Sequence, residues 1–126
     1  MFYKSTRNSN LQVESAKAIS QGISEDGGLF VPESIPSLTL DEIKYISDLS
    51  YSCRAAYIFK KYLTDFTDAE IQYCTDNAYN AKNFETENID EISHLFDGTY
   101  MLELWHGSTC AFKDMALQIP PYFLTV

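Results

Sequence analysis

No run of about 20 consecutive apolar residues, the length a helix needs to cross a bilayer, occurs anywhere in the chain. A spanning helix is therefore not expected, and neither is a membrane partner. The opening stretch, "MFYKSTRNSN", also lacks the apolar centre of a secretory signal. Basic residues are scarce: nine Lys and Arg face 18 Asp and Glu, for a formal net charge of −9. Nucleic acid and anionic surfaces are poor partners for such a chain. Cysteine is sparse and widely spaced, at Cys53, Cys74 and Cys110, with no C-x-x-C pair. That is no disulfide framework, and it suits a reducing, cytoplasmic setting. A zinc site built from these cysteines with His94 and His106 would need a chance tertiary meeting, so no metal is expected. No internal repeat or low-complexity tract occurs.

What is present suffices for one folded domain. The 126 residues are 45% apolar and 14% aromatic, which argues against disorder. "FYKSTR", residues 2–7, reads as a strand or extended arm. Val13, Ala16, Ile19 and Ile23 recur at helical spacing, and Gly22 stands where that helix should stop. "LFV" follows a Gly-Gly turn and reads as a short strand. Thr39 and Glu42 have capping-box spacing and open a helix whose face is Leu40, Ile43, Ile46 and Leu49. Ala55, Ile58, Phe59, Tyr62, Leu63 and Phe66 predict a second helix. Thr67 and Glu70 repeat the capping-box spacing and open a third, with Ile71, Cys74, Ala78 and Tyr79 inward. "NAKNFETENIDE" reads as a polar loop. "ISHLFDGTYMLELW" reads as a hairpin turning at Asp97-Gly98, with His94 a strand or surface histidine. A last helix is predicted from Ala111 or Phe112, with Pro120-Pro121 interrupting it. The sum is an α+β fold: a mostly helical small domain, three or four helices on a small antiparallel sheet containing the 92–105 hairpin.

Chemistry concentrates in "ELWHGSTCAFKDMALQ", residues 103–118. Three readings compete there. His106 and Cys110 could pair as base and thiolate, but nothing in "HGST" makes them face each other. Gly107, Ser108 and Thr109 could cradle an anion ahead of a helix, although Ser or Thr there more often caps the helix. Lys113, in the first turn of its helix, could be a neutral nucleophilic amine. The helix dipole and desolvation between Phe112 and Met115 would both lower its proton affinity, with Asp114 opposing if it pairs with the ammonium. On local physics alone, a solvated surface lysine outweighs this third reading.

The same residues resemble a known family. "ELWHGSTCAFKDMALQ" is similar to the threonine synthase segment E-L-F-H-G-P-T-x-A-F-K-D that runs on to A-L-Q. "YKSTR" and "DGGLFVP", at residues 26–32, resemble that family's N-terminal domain, in the same order. The resemblance spans Tyr3 to Gln118. It implies a pyridoxal 5'-phosphate enzyme with the fold of the tryptophan synthase β family, a carbon–oxygen lyase. Such enzymes convert O-phospho-L-homoserine and water to L-threonine and phosphate. It further implies that Lys113 is the Schiff-base and catalytic lysine. Ser108, Thr109 and Asp114 are then candidate cofactor contacts, and Arg7 a candidate contact for the substrate phosphate.

Three departures stand out. Ser108 replaces the family's usual Pro and Trp105 its usual Phe. Pro120-Pro121 falls where relatives continue a helix, and a proline inside a helix costs about 3 kcal/mol or more. The five glycines, at positions 22, 27, 28, 98 and 107, form no glycine-rich phosphate loop. Residues 1–99 are therefore expected to be a threonine synthase N-terminal domain and residues 100–126 the truncated start of the catalytic domain. The remaining catalytic domain is the expected partner, and the chain alone is expected to be inactive. Exposed apolar surface near Leu117, Ile119, Tyr122 and Phe123 would promote self-association. Two alternatives are a catalytically dead structural or binding module and another fold-type-II lyase using the same cofactor.

Overall fold

The computed structural model describes residues 1–126, with five strands and six helical segments. Strand β1 (Phe2–Ser5) lies between β2 (Gln12–Glu14) and β3 (Phe30–Pro32), antiparallel to both. Val13, expected in a helix, is a strand residue paired with Tyr3. Helix α1 (Ser15–Gln21) begins only after it, with Glu14 as an extended N-cap that makes no side-chain bond. The Asp65 carboxylate does the capping from a distance, accepting from Ser15 Oγ and, at 2.8 Å, from the Ala16 N–H. Gly22 ends α1 where its position predicts, at φ 74° in a tight turn whose Ile23 N–H donates to the Gln21 carbonyl at 2.9 Å.

Both capping boxes form, at Thr39–Glu42 ahead of α2 (Leu40–Ser47) and at Thr67–Glu70 ahead of α4 (Asp68–Ala78). Between them, α3 (Tyr51–Tyr62) is shorter than its apolar spacing suggests. Leu63 caps it, and Phe66 packs on the core from the following turn. The face of α2 is also rotated from expectation: Leu40 is 76% exposed and Ile43 is exposed, while Ile46 and Leu49 are half-buried. Glu42 turns toward α3, where it accepts from Tyr57 Oη at 2.8 Å and Lys61 Nζ at 2.6 Å.

The core gathers Ala56 and Leu63 with the inward row Ile71, Cys74 and Ala78 of α4, and Tyr79 beyond it. Phe84 and Ile89, from the loop expected to be polar, are also buried. Ile89 holds φ 66°, a conformation a β-branched residue adopts only when its surroundings fix it. Strands β4 (Glu91–Phe96) and β5 (Thr99–Glu103) form the predicted hairpin, with Asp97 at φ 29° and Gly98 at φ 73° in its turn. The hairpin is a separate two-stranded sheet and does not join the N-terminal one.

Two single turns of helix close the chain, α5 (Asp114–Leu117) and α6 (Pro120–Phe123). Pro120 starts α6, where a missing N–H costs nothing, so the expected interruption occurs as a break between two turns. The break corrects one expectation. Ile119 and Phe123 are buried, while Leu117 is exposed and Tyr122 half-buried. Phe123 meets Phe59 and Phe66 edge-on, with centroids 5.5 and 5.2 Å away. No helix is long and apolar enough to cross a membrane.

Candidate active site

Beyond β5 the chain folds into a turn at Gly107, whose carbonyl accepts from the Cys110 N–H at 3.0 Å. Cys110 takes φ 55° there. A second turn follows at Ala111–Asp114, and Lys113 becomes the N-cap of α5. The predicted helix start at Ala111 or Phe112 is therefore displaced to Asp114, because residues 107–113 spend their backbone bonds on turns. A helix this short offers Lys113 little dipole. The lysine is exposed, as is Phe112, so the expected desolvation is absent from this chain. Its Nζ is in no ion pair. What the turn presents is a free primary amine on a fixed backbone.

Asp114 is buried and does not pair with Lys113. Its carboxylate accepts from Thr109 Oγ1 at 2.7 Å and from the Thr109 N–H at 2.8 Å. Those two bonds, the hydroxyl's foremost, hold its carboxyl below the usual carboxylate range. Thr109 thus caps no helix; Asp114 caps the turn that contains Thr109. Ser108 is not a cap either, since its Oγ accepts from Gln118 Nε2 at 3.1 Å. Gly107 is packed against Asp114, and a Cβ added to it would lie 2.8 Å from Asp114 Cγ. Only glycine fits that approach. Tyr79 Oη donates to the Met115 carbonyl at 2.9 Å and ties α5 to the core.

A further pair escaped sequence reasoning. His106 Nε2 lies 2.7 Å from Glu103 Oε2, and Ser93 Oγ donates to the other Glu103 oxygen. Ser93 first, then His106, holds the Glu103 carboxyl below its ordinary value. The available signal was the i, i+3 spacing of Glu and His where a strand gives out. Cys110 is exposed, and His106 is committed to Glu103.

Arg7 belongs to another cluster. Its Nη1 donates to the Asp26 carbonyl at 3.1 Å, and Ser5 Oγ donates to the Asp26 carboxylate at 2.7 and 2.9 Å. The Gly28 N–H joins them at 2.9 Å, so "STR" and "DGG" lock the arm to its turn. A side chain on Gly28 would run into Ser5 Oγ. Ser5 and then Gly28 keep the Asp26 carboxyl below its usual range. No ion pair joins Arg7 to the Lys113 turn. Tested against a phosphorylated aldehyde cofactor, the chain supplies the amine but not the phosphate cradle. The paired glycines spend their N–H groups internally, Gly27 on the Ser24 carbonyl at 2.8 Å and Gly28 on Asp26.

Fold and site together define a class: a small helical α+β unit that presents a lysine amine just past a hairpin. Residues 2–79 match the family model described as "Threonine synthase N terminus", and the chain belongs to that family. It is 36% identical over 124 residues to a threonine synthase of Eremothecium gossypii, covering 92% of this chain and 24% of that protein. Against "Threonine synthase-like 1" of Homo sapiens it is 34% identical over 110 residues, covering 85% of this chain and 15% of that one. The crystal structure of PLP-bound threonine synthase from Brucella melitensis superposes with a TM-score of 0.90 at 27% identity, covering 98% of this chain and 26% of that one. The chain thus spans a quarter or less of the length of the curated relatives described here.

Proposed function

We propose that this chain is the N-terminal portion of a threonine synthase. The full enzyme would convert O-phospho-L-homoserine and water to L-threonine and phosphate with pyridoxal 5'-phosphate, as a carbon–oxygen lyase in the cytoplasm. Residues 1–99 are assigned to the N-terminal domain and residues 100–126 to the opening of the catalytic domain. The observation that carries the reading is the match of residues 2–79 to the threonine synthase N-terminal model, with Lys113 standing at the end of the braced "HGSTCAFKD" turn.

In this reading Lys113 would hold the cofactor through its Nζ. When bound, that group supplies an electron sink for carbanion chemistry. When released from that bond, the Lys113 amine would take and return protons at the substrate carbons. Asp114 and Thr109 fix the turn beneath the lysine and are assigned, with Ser108, as contacts for the cofactor. Ser108 is exposed beside them. Arg7 is assigned to the substrate phosphate, because one guanidinium nitrogen is anchored to Asp26 and the group remains exposed.

The chain alone is expected to be inactive, since its glycine N–H groups form no phosphate cradle. Mixing the purified chain with pyridoxal phosphate and O-phosphohomoserine should release neither phosphate nor threonine. Turnover that disappears in Lys113→Ala would overturn that expectation. Borohydride reduction with the cofactor, followed by peptide mapping, tests the anchor directly and should mark Lys113.

A further inference from the structure

We propose that Glu103 and His106 are positioning residues that set where Lys113 stands; this rests on the reading of Lys113 as cofactor anchor. Strand β5 ends at Glu103, and residues 104–106 form the corner that leads to the Gly107 turn. At that corner His106 is fixed on three sides. Its ring is held by Glu103, its carbonyl accepts from the Glu85 N–H at 2.9 Å, and the next residue, Gly107, bridges to Phe84. Glu103 is fixed in turn, because Ser93 occupies its second oxygen. The side chains of the pair are 14% and 18% exposed, sheltered enough for the contact to outlast a surface pair.

From this corner the constraint passes directly to the lysine. Gly107 rests against Asp114, Asp114 grips Thr109 from the far side, and Lys113 is bonded to Asp114 in the chain. Residues 108–113 form a loop closed at both ends. One closure is Asp114, and the other is the Glu103–His106 corner. Loosening the corner frees the loop even when Asp114 and Thr109 are intact.

The test compares the 126-residue chain with Glu103→Ala and His106→Ala by amide hydrogen exchange and backbone NMR. Exchange at the Thr109 N–H should speed up by about three- to tenfold, the equivalent of one lost hydrogen bond. The Lys113 amide resonance should move, while the amides of Ile71 and Tyr79 stay as they were. His106→Gln, which keeps a donor for Glu103, should restore most of the wild-type protection. Where an alanine variant exchanges everywhere at once, the same comparison is made with Glu103→Met, which keeps the side chain's bulk and removes both acceptor oxygens. Thr109 exchange and the Lys113 resonance both matching wild type in the folded variants would overturn the proposal. Failure of pyridoxal phosphate and borohydride to mark Lys113 above the equally exposed, unpaired Lys17, Lys44 and Lys82 in the wild-type chain would instead sink the anchor reading, whatever exchange shows.

Discussion

Gly107 is the residue where sequence and site meet most tightly. Gly107→Ala would push a methyl into Asp114 and open its bonds to Thr109. A loss of about 1–3 kcal/mol is expected, as for other overpacked sites, and urea denaturation of the two proteins would measure it. Glu42 makes a pH prediction. Its carboxyl is lowered from 4.5 to about 2, first by Lys61 and then by the Thr39 N–H and the Tyr57 hydroxyl. A carboxylate depressed in the folded state stabilises above its unfolded value and loses that contribution as pH falls through the folded one. The wild type should therefore lose stability between pH 4.5 and about 2, and Glu42→Gln should lose less across that window in acid titrations followed by circular dichroism. Lys113 and Gly107 were legible because a motif placed them. Asp114's grip on Thr109 and Glu103's on His106 were not, because both depend on how the chain folds back after a strand.

Elements were most legible where period and cap agreed. Helix α4 has both, and its inward row is the one its spacing predicts. Thr67→Ala removes the acceptor for the Glu70 N–H and should cost about 1 kcal/mol, read as a lowered thermal midpoint. Where only spacing spoke, it misled. Val13 fits a helical row but is taken by pairing with Tyr3, a partner remote in sequence. Leu40 and Ile43 fit the row of α2, yet both are exposed, and Glu42 is the residue bonded to Tyr57 and Lys61 of α3. Phe84 and Ile89 stand singly among polar residues and give no period, although both are buried. The start of α5 was misplaced for a different reason: turns ahead of it consume the hydrogen bonds a helix would have used.

At the scale of the molecule, the fold rests on a core whose centre is α4. Ile71→Ala at that centre should cost about 2–5 kcal/mol by cavity formation, measurable in the same denaturation series. The hairpin contrasts with this core. Ile92, Phe96, Tyr100 and Leu102 are all more than half exposed, and the two-stranded sheet has free edges. Such a surface associates. Light scattering should show mass rising with concentration, and Phe96→Lys should reduce the rise; a strictly monomeric wild type would refute this.

The burial of Ile119 and Phe123 has a consequence in time. They complete a core whose other members lie between Ala56 and Ile89. On a ribosome, that core stays open until the segment carrying Lys113 has emerged behind it. The amine and the fold's last apolar contacts are delivered together, so the turn settles in the same event that shuts the core to water.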